Sequence, residues 1–580
     1  MKSLAILLAA CTIGACVDND FKAAPGFQQA SLETSAGSSA EKLPPVHAGD
    51  YLSSLFAQSH HDWKNAEGFI GNIMAAGIED PLIRRRAMIL AMGSGDASTA
   101  IQLAQHSVPD DPNKTYSDDD TIALIFMVMG AFDQKDYKQA ELYAQKMPKD
   151  GMSQFIGPFL TGWSNAALGK MEISGLKNNA IHLYHAILIS DYLKQYGDIE
   201  KLLTQAEVVQ DISTEDLERI ADIYAHINKP KKALELYSKI QKDWPDDAEI
   251  KEKISQIQSG KVVPLFKSIK TPQEGLGEAF YDISKILFDE YSDESARVFG
   301  FMALHLDPNL TDAKLLLAHI AARHERYDEA IAHYRAVPEN SPEYLDTQRK
   351  IAEIMVKQEN DQDALKILSS LATKKDDVAS MIEIGDIYRK QENYGAAIDA
   401  YKKAAKTFGG EIPASYWHLY YVLGMSYERA GQWDNAEQAL KAALKLQPDH
   451  PYVLNYLGYA WADRGMNLKE ALHMIRKAVS LRPDDGYITD SLGWVMFKME
   501  QYDDAVPELE KAVELLPYDP TINDHLGDAY WKVGRKLEAR FQWERAKNYT
   551  DDSAFAQVLA GKLVSGLKAP SAVVGSNTTE

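Results

Sequence analysis

Between residues 376 and 549 the apolar residues recur at helical spacing, and the small residues among them recur in a longer register. A Gly stands in the contexts EIGDIY, YVLGMSY, NYLGYAW, DSLGWVM and DHLGDAY. These are Gly385, Gly424, Gly458, Gly493 and Gly527, spaced by 39, 34, 35 and 34 residues. Twelve or thirteen residues after each comes Ala397, Ala436, Ala471, Ala505 or Ala539, and seven further on Ala404, Ala443, Ala478, Ala512 or Ala546. Between these lie the large apolar residues Tyr401, Leu440, Ile475, Leu509 and Trp543, and Pro448, Pro483 and Pro517 close three of the units. A Gly in one helix and an Ala in the next let two backbones approach closely, where larger side chains would clash. The Pro ends the second helix because it cannot continue the hydrogen-bond ladder. The pattern predicts stacked helix-turn-helix units.

This register is the tetratricopeptide (TPR) pattern of 34 residues. One unit cannot bury its apolar faces alone, so neighbours stack into a continuous core. The expected fold is all-α, a right-handed superhelical solenoid of TPR and TPR-like helix pairs. Clear repeats are expected over 376–549 and degenerate ones over 278–375. An N-terminal TPR-like array is expected over 51–258, with weak units centred on Ala66, Ala140, Ala296, Ala330 and Ala364. The stretch SGKVVPLFKSIKTPQEGLG breaks the pattern and is read as a joint at 259–277. FGGEIP after Phe408 and the extra residue at Met466–Asn467–Leu468 lengthen two connections, and no register is visible from Gly169 to Thr204. Residues 550–580 are expected to hold a C-terminal helix and a disordered tail.

The chain opens MKSLAILLAACTIGACVDND, with Lys2 before an apolar run too short to span a bilayer. This is the layout of a secretory signal. ILLAAC and IGAC resemble lipoboxes, which implies lipidation of Cys16, or of Cys11 in the alternative, and a signal peptide over 1–16. Val17, rather than Asp, after the lipidated residue implies outer-membrane sorting on the periplasmic face. Residues 17–50 carry no apolar periodicity and read as a flexible linker.

Composition removes several function classes. With 62 Lys+Arg against 84 Asp+Glu the net charge is −22, which repels nucleic acid and anionic membrane surfaces. The two cysteines both lie in the first sixteen residues, so the body holds no disulfide framework, Cys-rich zinc site or cysteine nucleophile. Gly260–Lys261 lacks the rest of a phosphate loop, Gly275–Leu276–Gly277 lacks the third Gly of a dinucleotide site, and no G-x-S-x-G occurs. His319 and His324 have the wrong spacing for a zincin. His60–His61–Asp62 reads as a polar turn and Asp118–Asp119–Asp120 as a helix start. No catalytic residue, metal site or cofactor is expected.

In such solenoids the first helix of each repeat lines a concave groove, at positions three before the Gly, one after and four after. These give Tyr421, Met425 and Glu428; Asn455 and Tyr459; Asp490, Trp494 and Phe497; and Asp524, Asp528 and Trp531, with Tyr452 and Tyr487 one turn earlier. Aromatics on a rigid wall dominate interface energetics. The carboxylates are expected to favour a basic or amide-rich segment of a protein partner.

The phrases DSLGW and DHLGD and the extra residue at Asn467 resemble a group of bacterial TPR lipoproteins. Some members tether a periplasmic carboxy-terminal-processing protease at the outer membrane and deliver cell-wall hydrolases to it. The resemblance implies a non-catalytic adaptor whose partners are that protease and its substrates. Two alternatives stay open: a scaffold of an envelope export system, and an enzyme with an unrecognised site in 160–205.

Overall fold

The computed structural model describes residues 45–109, 114–176, 179–195, 201–202, 204, 214–245, 247–260 and 269–567. Among these residues there are 28 α-helices and no strand, arranged as antiparallel pairs in a TPR-type solenoid. Cys11, Cys16 and the signal peptide fall outside the described residues.

Two compact units divide between Thr347 and Gln348. In the first unit, one core runs from Ala57 to Ile320. The expected joint at 259–277 therefore does not separate two arrays. Helices after it fold onto helices before it: Arg297, on the helix Asp293–Leu306, donates to the Gly93 carbonyl at 2.6 Å and lies over Trp63. Apolar side chains following the break fill the same core, so the local loss of register does not interrupt packing. Ala66, Ala140, Ala296 and Ala330 here, and Ala364 in the second unit, on which the weak units centre, are fully buried. A further difference is that a helix, Pro45–Ser59, begins inside the expected linker, with Tyr51 packed on the core.

The second unit shows why the Gly register exists. A Cβ at Gly385, Gly424, Gly458, Gly493 or Gly527 would come under 3.0 Å from Tyr401, Leu440, Ile475, Leu509 or Trp543 respectively. Three first helices start at Asp caps: Asp485 accepts from Tyr487 and Ile488, Asp519 from Ile522, and Asp552 from Ala554 and Phe555. Gly431, Gly465 and Gly534, seven residues after the repeat Gly, turn the chain at φ of 74°, 67° and 86°. Asn467 absorbs the extra residue at a φ of 47°. FGGEIP becomes a connection with Gly409 and Gly410 at positive φ, followed by a short 3₁₀ turn at Ala414–Tyr416.

Candidate partner-binding wall

Four first helices of the second unit carry the candidate residues: Trp417–Arg429, Pro451–Asp463, Gly486–Lys498 and Pro520–Lys532. The Gly places its neighbours at one and four residues further on along the same helix face. The row Tyr421, Met425, Glu428, Asn455, Tyr459, Trp494, Phe497 and Trp531 is partly exposed, as expected. Tyr452 and Tyr487 are exposed beside it.

The aromatics are held to one another across repeats. The rings of Tyr421 and Tyr456 meet edge-on at 5.9 Å. Trp494 is stacked between Phe497 at 4.9 Å and His525 at 3.9 Å. Lys498 sits over the Trp494 indole, and Lys536 and Arg540 over that of Trp531. Burial, with Asp463 and Asp490 adding to it, pushes the Tyr459 phenol above its ordinary range, so it stays a neutral hydroxyl.

The carboxylates are placed differently from expectation. Asp490, Asp524 and Asp528 are buried, and each is already bound. Asp490 pairs with His525 Nδ1 at 2.9 Å. Asp524 and Asp528 both accept from Lys562 Nζ, at 2.7 and 2.8 Å, and Asp528 also accepts from Trp543 Nε1 at 2.9 Å. Glu428 accepts from Arg464 at 2.7 Å and from the Tyr456 hydroxyl at 3.3 Å. A carboxylate enclosed by apolar helices needs a partner within the chain, because desolvating it unpaired costs several kcal/mol. The wall therefore offers a partner aromatic and apolar contact rather than negative charge.

Burial by itself would lower the His525 pKa, but Asp490, Asp524 and Asp528 outweigh it and raise it, which favours the imidazolium. An imidazolium stacked on an indole gains cation–π attraction. Burial and Asp524 raise Asp528 to about 6 against the pull of Lys562 and Trp543. Two polar atoms of the wall, Asn455 Oδ1 and Trp494 Nε1, are buried with no hydrogen-bond partner.

His525 and Lys562 were not among the expected residues. Lys562 had a signal: Gly561 follows Gly527 by 34 residues, so Lys562 occupies the repeat position of Asp528. The helix Ser553–Ser565 is thus the first half of one more repeat and runs into the stretch expected to be tail. Residues 568–580 lie outside the described residues.

In the first unit, the region without register holds a buried polar chain. Trp163 Nε1 donates to His185 Nδ1 at 3.2 Å, and His185 Nε2 meets Asp282 at 3.0 Å. Arg219 Nη1 bonds Asp282 at 3.2 Å. Burial would raise the Asp282 pKa, but Arg219 and His185 overcome it and hold it low. Both nitrogens of His185 are engaged, so it has no free lone pair to act as a general base. Among the described residues no group of three His, Cys, Asp or Glu side chains is arranged to hold a metal ion.

Family profiles described as tetratricopeptide repeat match residues 421–486 and 491–553, and one described as tetratricopeptide repeat-like domain matches residues 310–417. A TPR repeat-containing protein of Pseudomonas aeruginosa is 22% identical over 165 residues, covering 28% of this chain and 27% of that protein. The chain thus spans about a quarter of that relative. Among solved structures, the APC/C hetero-tetramer Cut9–Hcn1 matches at a TM-score of 0.37 and 15% identity, covering 89% of this chain and 96% of that one. A tetratricopeptide repeat protein from Parabacteroides merdae matches at a TM-score of 0.36 and 14% identity, covering 43% and 97%. At such TM-scores the superpositions carry no argument. Residues 421–486 and 491–553 are therefore tetratricopeptide repeats and residues 310–417 a tetratricopeptide repeat-like stretch, on the profile matches and on the Gly–Ala packing that their register produces.

Proposed function

We propose that this chain is a non-catalytic scaffold that binds a segment of a protein partner along the first-helix wall of the second unit. The supporting observation is the partly exposed row Tyr421, Met425, Asn455, Tyr459, Trp494 and Phe497, which rigid helices hold in register over three consecutive repeats. Rigid aromatic contact loses little conformational entropy on binding. With its carboxylates engaged internally, the wall suits an apolar or aromatic segment better than a basic one.

The finer reading is a lipid-anchored adaptor on the periplasmic face of the outer membrane, tethered through Cys16, with a carboxy-terminal-processing protease and its cell-wall hydrolase substrates as partners. It rests on the lipobox-like start and on the DSLGW and DHLGD phrases. Photo-crosslinking from position 459 or 425 in cells, followed by mass spectrometry, tests both readings. A processing protease or its substrate is expected at both positions, and its loss in Met425→Glu with helicity intact. Capture of secretion components would replace the finer reading, and crosslinks confined to the first unit would remove the wall assignment. Palmitate labelling that persists in Cys16→Ala would move the anchor to Cys11.

A further inference from the structure

We propose that the outward face of the terminal helix Ser553–Ser565 is a self-association surface. Two copies of the chain pair through it, with Val558 of one copy entering the open space over Gly561 of the other.

The five earlier repeat glycines define what such a face holds. Each is covered by a large apolar residue that lies four positions after an Ala of the second helix: Ala397 and Tyr401, Ala436 and Leu440, Ala471 and Ile475, Ala505 and Leu509, Ala539 and Trp543. Gly561 continues the register 34 residues after Gly527, yet nothing lies within 4 Å of where its Cβ would be. Among the described residues no second helix follows Ser553–Ser565, and the space over Gly561 is an open socket.

The socket is also apolar. Ala554, Val558, Gly561 and Ser565 share one face, with Val558 55% and Val564 84% exposed. The one charge of this helix, Lys562, turns inward to Asp524 and Asp528. A solenoid face left in water is ordinarily polar, and among the described residues this one is apolar and uncovered.

The occupant must supply Ala-x-x-x-large apolar on a helix. Residues 568–580 do not: in register they place Val573 and Asn577 at those two positions, and Pro570 and Gly575 disfavour a helix there. The terminal helix itself does, twice, as Ala554 with Val558 and Ala560 with Val564. A face that carries both the socket and the knob is self-complementary, which is what a two-fold interface requires. It continues the interface already built between the two helices of each repeat, and it brings no charge of the −22 chain into contact.

Sedimentation velocity on the full chain, over a concentration series at low and high salt, tests this pairing. The wild type is expected to shift to dimer with concentration, more so at high salt, which screens the mutual repulsion of two acidic chains. Gly561→Glu and Val558→Glu are each expected to raise the dimer Kd by about tenfold or more. At dilutions where the wild type is monomeric, their circular dichroism should match it and neither Tm should fall, since both positions face open space. In Gly561→Cys, a short bismaleimide is expected to join two chains. A wild type that stays monomeric at about 100 µM, a dimer that both Glu variants leave unchanged, or a tryptic crosslink from position 558 to residues 568–580 of the same chain would each overturn the proposal.

Discussion

The Nζ of Lys562 lies 2.8 Å from Oδ1 of Asp528, at the same repeat position one register later, and 2.7 Å from Oδ1 of Asp524. A single cation from the helix Ser553–Ser565 thus pairs with two carboxylates buried on the helix Pro520–Lys532. Removing it leaves both uncompensated.

Lys562→Met is expected to destabilise the second unit by about 3 kcal/mol at neutral pH, the usual cost of orphaning a buried charge. The loss depends on pH with a definite sign. Asp528 holds its proton more tightly folded, at about 6, than at its ordinary 3.8. Its contribution to stability is therefore present below about pH 4 and fades as the pH rises through 6. Lys562 lowers the Asp528 pKa, so in Lys562→Met it lies higher still, and the gap between the two proteins should narrow as the pH falls toward 6. Urea melts across pH 4–8 measure it, and a gap independent of pH would contradict the assignment.

His525, paired with Asp490, is shifted in the same direction as Asp528. The His525 pKa is raised above 6.5, so the pair's contribution is complete below that value and lost as the pH rises through the folded pKa. Asp490→Asn is expected to lower the His525 pKa and to weaken the imidazolium–Trp494 stack. Histidine NMR follows the first change, and tryptophan fluorescence between pH 6 and 9 follows the second.

The glycine register gives a paired test of packing. Gly493→Ala must displace Leu509 and should cost about 1–3 kcal/mol. Gly561→Ala meets nothing within 4 Å, so the chain should gain about 0.5–1 kcal/mol of helix propensity. Opposite signs of ΔTm for two glycines in one register would be the outcome. Equal losses would mean that Gly561 is covered.

How legible each part was follows from what kind of signal it leaves. The repeats were readable because close helix approach demands Gly and Ala at fixed intervals, as at Gly424 and Ala436. Ala66 and Ala296, on which weaker units centre, are likewise fully buried. The break in register at 259–277 misled because a gap in periodicity looks the same whether packing continues beyond it or not, and Arg297 reaching Gly93 is a contact between residues 204 apart. The wall positions followed from register, but the state of their side chains did not. Asp490 and Asp528 look like groove acids along the chain, and only the opposing His525 and Lys562 show that they are satisfied. Lys562 itself was hidden because no second helix follows its own among the described residues.

Asn455 carries the last prediction, because its amide oxygen is buried without a hydrogen-bond partner in the middle of the proposed wall. An unsatisfied buried acceptor costs about 1–3 kcal/mol, while an apolar group of similar shape at the same place carries no such penalty. Asn455→Leu should therefore raise the stability of the second unit by about 1 kcal/mol. Such a group persists where function needs it. The amide oxygen can accept a hydrogen bond if the side chain turns toward a bound segment, whereas Leu has no acceptor to offer. The same substitution should therefore weaken capture of the partner found by crosslinking from Tyr459, while urea melts show the higher midpoint. A variant that is more stable and binds equally well would place Asn455 outside the contact and move the wall toward Tyr459 and Trp494.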